Sequence, residues 1–326
     1  MTAPRMLHMG GAVVDYVYRI AALPPRGGEA VAGAHARIAG GGFNQMCAAR
    51  RNGLAVAYGG GHGSGPDGDF LRAALTGAGI EVLLPRSATI DSGNCVVMID
   101  EAGERSFVSW PGAESRLSDA ELSAVHPQRG DWIVVSGYTL SYADSREPLH
   151  RWLTSLPPDL PVIFDPAPVV AAIPEEILHA VLARATWVSA NLAEARVLTG
   201  ENIPERQAAV LLEHHCPAAE GILLRAGAEG AYLQQRGEPQ TRLPAFAVEA
   251  VDTNGAGDTH LGVFVAALAR NETACDAAQR ANAAAAISVT RFGGSAAPTG
   301  GEIDTFLAGQ QPDAPNAAPP KTVQNQ

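Results

Sequence analysis

Short apolar runs alternate with helical patterns along most of this chain, and that rhythm restricts the fold more than any other feature. Arg5–Met9, Leu54–Gly59, Asp131–Ser136, Pro161–Phe164, Thr186–Ser189 and Gly221–Arg225 are strand-like runs bounded by turn residues. Helical spacing fills the intervals; over Asp67–Ala78 it places Phe70, Leu71, Ala74 and Leu75 on one face. Near-continuous apolar strands separated by helices predict buried parallel strands with right-handed crossovers. The fold class is therefore α/β, a doubly wound and mostly parallel sheet, with its ligand site beyond the carboxyl ends of the strands.

Two stretches break the rhythm. Val13–Arg37 holds short alternating segments punctuated by Gly and Pro, and Cys95–Trp110 reads as a hairpin turning at Glu101-Ala102-Gly103-Glu104. Together, at about 13–37 and 95–110, they predict a small antiparallel sheet that projects as a β lid or as a dimer contact, and a homodimer through the lid is expected. One domain spans 1–308, and the Gln-, Pro-, Asn- and Ala-rich residues 309–326 are expected to be a disordered tail.

The cations narrow the chemistry. Of 23 basic residues 22 are Arg, and the one lysine, Lys321, sits in that tail. No Walker lysine, protein-kinase strand lysine or Schiff-base lysine is available inside the fold. The net charge of −11 and the scattered arginines argue against a nucleic-acid partner. Cys47, Cys95, Cys216 and Cys275 form no C-x-x-C and read as reduced thiols, mostly core filler. No apolar run approaches 18 residues, so a cytoplasmic protein with no membrane partner is expected.

The segment Asp252-Thr253-Asn254-Gly255-Ala256-Gly257-Asp258 runs into a helix with Leu261, Phe264, Val265 and Leu268 on one face. A small-residue loop at a helix N-terminus presents backbone N–H groups and partial positive charge, an anion site that needs no lysine. The same dipole is expected to depress the pKa of Asp258. Two readings stay open locally: a phosphoryl-transfer loop whose carboxylate orients a hydroxyl, or a glycine turn with a charge-compensating aspartate. Gly63-Ser64-Gly65-Pro66-Asp67-Gly68 satisfies G-x-G-x-x-G and suggests a nicotinamide enzyme, but it follows the second strand-like run, and Pro66 removes an N–H. Glu213-His214-His215-Cys216 lacks metal-ligand spacing, and Gly293-Gly294-Ser295-Ala296-Ala297 fails G-x-S-x-G.

Asp252–Asp258 resembles the D-T-x-G-A-G-D signature of the ribokinase-like (PfkB) carbohydrate kinases. Further matches follow in that family's order: Asp15, Gly40-Gly41-Gly42-Phe43-Asn44, Asp165-Pro166-Ala167-Pro168, Asn191-Leu192-Ala193-Glu194 and Ala283–Ala286. The resemblance covers residues 5–308 and implies an ATP-dependent sugar kinase, with a nucleoside or pseudouridine kinase as the alternative. It implies Asp258 as general base and the N–H groups of Gly255, Ala256 and Gly257 as the anion hole. Asp15, Gly41, Gly42 and Asn44 match sugar-binding positions. Trp110, on the lid hairpin before Pro111-Gly112-Ala113-Glu114, has two readings: closing over the acceptor, or hairpin or dimer packing.

For the cofactors, the resemblance assigns Asn191, Glu194, Arg225, Gly227 and Asn282 to MgATP, with Glu194 holding Mg²⁺ through water. It also implies a candidate K⁺ site at Asp252, Ser288, Arg291 and Gly293, whose distal hydroxyl position is Ala297 here. Ala39 stands where the family's first turn glycine usually is, and His260 after the base reads as helix packing. Ser136-Gly137-Tyr138-Thr139-Leu140 departs from the ribose-kinase pattern and resembles hexose or acidic-sugar kinases and uncharacterised bacterial sugar kinases.

Overall fold

The computed structural model describes residues 3–310. Residues 311–326, which include Lys321 and most of the expected tail, lie outside the described residues. The last helix, Gly300–Gln310, runs two residues past the expected domain end at 308.

The strands in chain order are β1 Arg5–His8, β2 Ala12–Arg19, β3 Ala34–Gly41, β4 Ala55–Tyr58, β5 Glu81–Val82, β6 Asn94–Ile99, β7 Arg105–Trp110, β8 Asp131–Ser136, β9 Val162–Asp165, β10 Trp187–Asn191, β11 Gly221–Arg225, β12 Ala231–Gln235 and β13 Thr241–Leu243. Nine of them form one sheet in the order β13-β12-β11-β10-β9-β8-β1-β4-β5. All neighbours from β5 to β11 pair in parallel, and β12 and β13 close one edge antiparallel.

Alternation along the strands divides the core. Ile133 and Val135 of β8 face the layer containing Leu149, Leu153, Ile177 and Val181, while Val134 between them faces the opposite layer. That second layer holds the helices Gly42–Arg51, Ala256–Ala269 and Ala274–Val289. Every residue of Ala256–Ala269 from Thr259 onward is buried, because neighbouring helices and the sheet enclose it. Phe264 meets the Trp187 ring edge-on at 5.2 Å between centroids. Truncating such a ring to Ala costs about 3–5 kcal/mol.

The second sheet, β3-β2-β6-β7, is the expected lid. Its two antiparallel hairpins, β2–β3 and β6–β7, join through a parallel β2–β6 pair. Cys95, Val97 and Ile99 form its small core with Val17, whereas Phe107, Val108 and Trp110 are exposed. Cys47 and Cys216 are also buried, and Cys275 is exposed. Among the described residues no helix is long and apolar enough to cross a membrane.

Candidate active site

The strand order reverses at β1, from which the chain builds outward to β4 on one side and β8 on the other. Such a switch point opens a crevice at the carboxyl ends of the strands. Polar side chains end five strands there: His8 on β1, Ser136 on β8, Asp165 on β9, Asn191 on β10 and Arg225 on β11.

The loop before the helix Ala256–Ala269 meets this crevice. Gly255 caps the helix at φ +71°, where an L side chain is strained, and a Cβ there would lie 2.3 Å from the Gly294 carbonyl. The first N–H groups of a helix have no intrahelical partner, and no side chain caps these; that of Ala256 makes only a long turn bond, 3.4 Å, to the Thr253 carbonyl. Arg225 stands beside them, with Nε 3.5 Å from where a Cβ on Gly257 would be.

Asp258 is gripped from the opposite helix, Gly42–Arg51. Asn44 Nδ2 donates to its Oδ2 at 3.1 Å and Gln45 Nε2 to its Oδ1 at 3.0 Å. Gln45 Nε2 also donates to Asp165 Oδ2 at 2.7 Å, so one amide bridges two carboxylates. His8 sets the direction of that amide. The Gly10 N–H donates to His8 Nδ1 at 3.2 Å, which leaves the proton on Nε2, 2.9 Å from Gln45 Oε1. Burial holds His8 near pKa 4, so the ring is neutral at pH 7.

The expectation of a depressed Asp258 pKa is overturned. Loss of water around the carboxylate, and then the nearby Asp165 charge, raise it above the ordinary carboxylate value against the opposing pull of Asn44, Gln45 and Arg225. The helix N-terminus acts locally, but Asp165 is brought close only by the sheet. Burial, with a smaller contribution from Asp258, pushes Asp15 on β2 up to about 7. Gly40 allows that placement, since a Cβ there would overlap the Asp15 carboxylate.

Arg225 joins the acidic groups. Its Nη2 lies 3.4 Å from both Asp165 Oδ1 and Glu194 Oε2, and its Nη1 donates to Ser189 Oγ at 2.9 Å. Asn191 and Glu194 form a reciprocal capping box: Glu194 N donates to Asn191 Oδ1, and Asn191 N to Glu194 Oε2, each at 2.8 Å. Burial raises the Glu194 pKa, with Arg225 opposing. Among the described residues no three His, Cys, Asp or Glu side chains converge to hold a metal directly. Asp165 and Glu194 are hard oxygen donors suited to an ion that keeps its waters, and Mg²⁺ is such an ion.

The remaining candidate residues separate. Gly41 and Gly42 lead into the helix that carries Asn44, while Trp110 ends β7 opposite Asn94, half-exposed. Gly227 lies in an exposed turn just after β11. Asn282 is buried, with its amide engaged by the Leu243 and Pro244 carbonyls and by His260 Nε2. His260, held near pKa 3 by burial, is packed as expected. Asp252 pairs with Arg105 of the lid, and the Ser288 and Gly293 carbonyls accept the N–H groups of Arg291 and Ala296.

Nothing in the local pattern marks His8, Gln45, Arg105 or Ser189, and Asp165 stands out only inside Asp165-Pro166-Ala167-Pro168. Asp165, directly after the strand-like run Pro161–Phe164, carried a usable signal; a lone Arg on a lid strand carried none. The G-x-G-x-x-G turn binds an anion of its own: Asp91 Oδ2 accepts from Asp67 N at 3.0 Å and Oδ1 from Gly68 N at 2.7 Å. A pyrophosphate would have to displace that carboxylate, which argues against the nicotinamide reading.

The chain is 29% identical to the uncharacterised sugar kinase YegV of Escherichia coli (strain K12) over 304 residues, covering 93% of this chain and 94% of that protein. In fold it is similar to Arabidopsis thaliana ribokinase complexed with ribose and ATP, at TM-score 0.74 and 22% identity over 94% of this chain and 99% of that one. A fructokinase from Vibrio cholerae O395, bound to fructose, ADP and calcium, superposes at TM-score 0.76 and 21% identity over the same shares of the two chains. Residues 9–299 match the pfkB family carbohydrate kinases. A switch point in the strand order, polar residues at the strand ends beside an uncapped helix and a match across nearly the whole fold agree: the chain belongs to the pfkB family of carbohydrate kinases, phosphotransferases that act on an alcohol group.

Proposed function

We propose that this enzyme transfers the γ-phosphoryl group of MgATP to a hydroxymethyl group of a small sugar or sugar acid. The observation that carries the reading is the Asp258 carboxylate, fixed by two side-chain amides at the mouth of an uncapped helix beside Arg225. That arrangement supplies a base and an anion site within one turn of helix.

Asp258 is the general base. Its raised pKa makes it a better acceptor for the acceptor-hydroxyl proton than an ordinary carboxylate, and the Asn44 and Gln45 amides fix its direction. The N–H groups of Gly255, Ala256 and Gly257 stabilise charge on the transferring phosphoryl group, and Arg225 adds a fixed positive charge at the same place. Asp15, Gly41, Gly42 and Asn44 hold the acceptor hydroxyls, with Trp110 on the lid above them. Bound Mg²⁺, held through water by Glu194 with Asp165 nearby, supplies neutralisation of the phosphate charge. Arg225, Asn191 and Gly227 line the nucleotide side of the crevice, and Asn282 is part of its wall.

Lid closure excludes water, which otherwise competes as acceptor. The exposed Phe107, Val108 and Trp110 on the lid support a homodimer through that sheet. ADP release measured with pentoses, hexoses, sugar acids and nucleosides tests the assignment. Turnover with a sugar or sugar acid is expected; turnover with nucleosides alone gives the enzyme to the nucleoside-kinase alternative, and none with any acceptor removes the reading.

A further inference from the structure

The loop that opens the anion site is tethered by a residue of the lid. Asp252, buried at the start of that loop, accepts the Asn254 N–H on Oδ1 at 2.9 Å and the Gly293 N–H on Oδ2 at 3.1 Å. Arg105 Nη2 forms an ion pair with the same Oδ1, and Arg105 Nη1 donates to Thr253 Oγ1 at 3.1 Å. Arg105 begins β7, so its side chain crosses from the lid to the loop, and it is largely buried there at 19% exposure.

This is where the resemblance implies a monovalent cation, and the residues do not fit one. The carboxylate that would attract the ion is already neutralised by a guanidinium. The Ser288 carbonyl accepts the Arg291 N–H at 3.0 Å and the Gly293 carbonyl the Ala296 N–H at 3.1 Å. At the position of the distal hydroxyl, Ala297 is fully buried and offers only a methyl group. The Ser288 and Gly293 carbonyls each keep a second lone pair, but a potassium ion placed here would meet a like charge, a carboxylate that already accepts from three donors and no side-chain oxygen at Ala297.

We propose that Arg105 is the resident cation of this loop. Its guanidinium holds Asp252 and Thr253 in place of a metal ion and so positions the N–H groups of Gly255–Gly257. Phosphoryl transfer then needs no potassium, and the order of the anion site depends on the lid being seated. Arg105 is a positioning residue, and the inference rests on the kinase reading above.

The test compares wild type, Arg105→Ala and Arg105→Lys in potassium chloride and in tetramethylammonium chloride at equal ionic strength. Calorimetric MgATP affinity is read beside kcat, so that failure of the acceptor assignment remains separable from failure of this inference. Wild-type kcat and MgATP affinity are expected to agree within about twofold between the salts. Arg105→Ala should lose about tenfold or more in kcat in tetramethylammonium. Added guanidinium chloride at low millimolar concentration should restore much of that loss, and Arg105→Lys should keep most activity without potassium. Strong activation of wild type by potassium, full activity of Arg105→Ala in tetramethylammonium, or a loss that guanidinium does not repair in a variant with wild-type melting behaviour would each overturn the proposal. If Arg105→Ala does not fold, potassium-dependent MgATP binding by Arg105→Lys overturns it instead.

Discussion

Two glycine-rich turns in this chain each open onto a helix N-terminus, and their donors meet different partners. At Gly63–Gly68 the first-turn N–H groups of Asp67 and Gly68 are taken by the carboxylate of Asp91, and the turn is a closed structural joint. At Asp252–Asp258 no side chain accepts from the N–H groups of Gly255, Ala256 or Gly257, and the Arg225 guanidinium stands beside Gly257. Glycine spacing makes donors available; what the rest of the fold places on them decides whether a ligand can use them.

The widest separation between the two turns is expected from Asp258→Asn. It should lower kcat by about 10²–10⁴-fold while calorimetry shows MgATP binding retained; near-normal turnover would remove Asp258 from the chemistry. Gly255→Ala forces a side chain into positive φ and against the Gly294 carbonyl, and should cost about 10²–10³ in kcat through misplaced donors. An unchanged kcat would show that the loop donors are not aimed at the reacting group.

A pH profile sharpens the contrast further. The base must be ionised, and its pKa is raised, so kcat/KM should fall with decreasing pH at higher pH than an ordinary carboxylate would dictate. Asp15, near 7, interacts with Asp258, so the limb reports the pair. Gln45→Met removes a hydrogen bond that favours the ionised base, and should move the limb up by about one pH unit; a downward shift would contradict the bridging geometry. Trp110→Ala should raise the acceptor KM by a few-fold, about 1 kcal/mol, and leave the ATP KM nearly unchanged. Equal rises in both would favour simple lid packing.

The smallest effect on turnover belongs to the closed turn. Asp91→Ala should reduce stability by about 0.5–2 kcal/mol, as loss of a helix cap does, seen as a lower Tm. Its kcat should stay within about twofold of wild type; a collapse of kcat would place that turn in the reaction.

Local pattern carried the architecture well. The runs Asp131–Ser136 and Gly221–Arg225 coincide with β8 and β11, and the four strands of the second sheet overlap the segments 13–37 and 95–110, with β3 running past 37 to Gly41. The loop at Gly255–Gly257 and its following helix were also legible, because small residues and 3.6-residue spacing are properties of neighbours in the chain. Gln45, Asp165 and Asp258 were not legible as one network, since the first lies 120 residues from the second and 213 from the third. Arg105 reaches Asp252 across 147 residues.

The sequence by itself determined the strand–helix alternation that carries β1, β4 and β8 to β11, but not β5 or the antiparallel edge strands β12 and β13, together with the lysine-free cation set and the anion-ready loop, all of which follow from period, composition and backbone freedom. Only the tertiary structure decided that the Asp258 pKa is raised rather than depressed, that the turn at Gly63–Gly68 is closed by Asp91, and that Asp252 faces a lid arginine. Electrostatics depend on which charges lie within a few ångströms and how much water reaches them, and both are set by folding distant segments together.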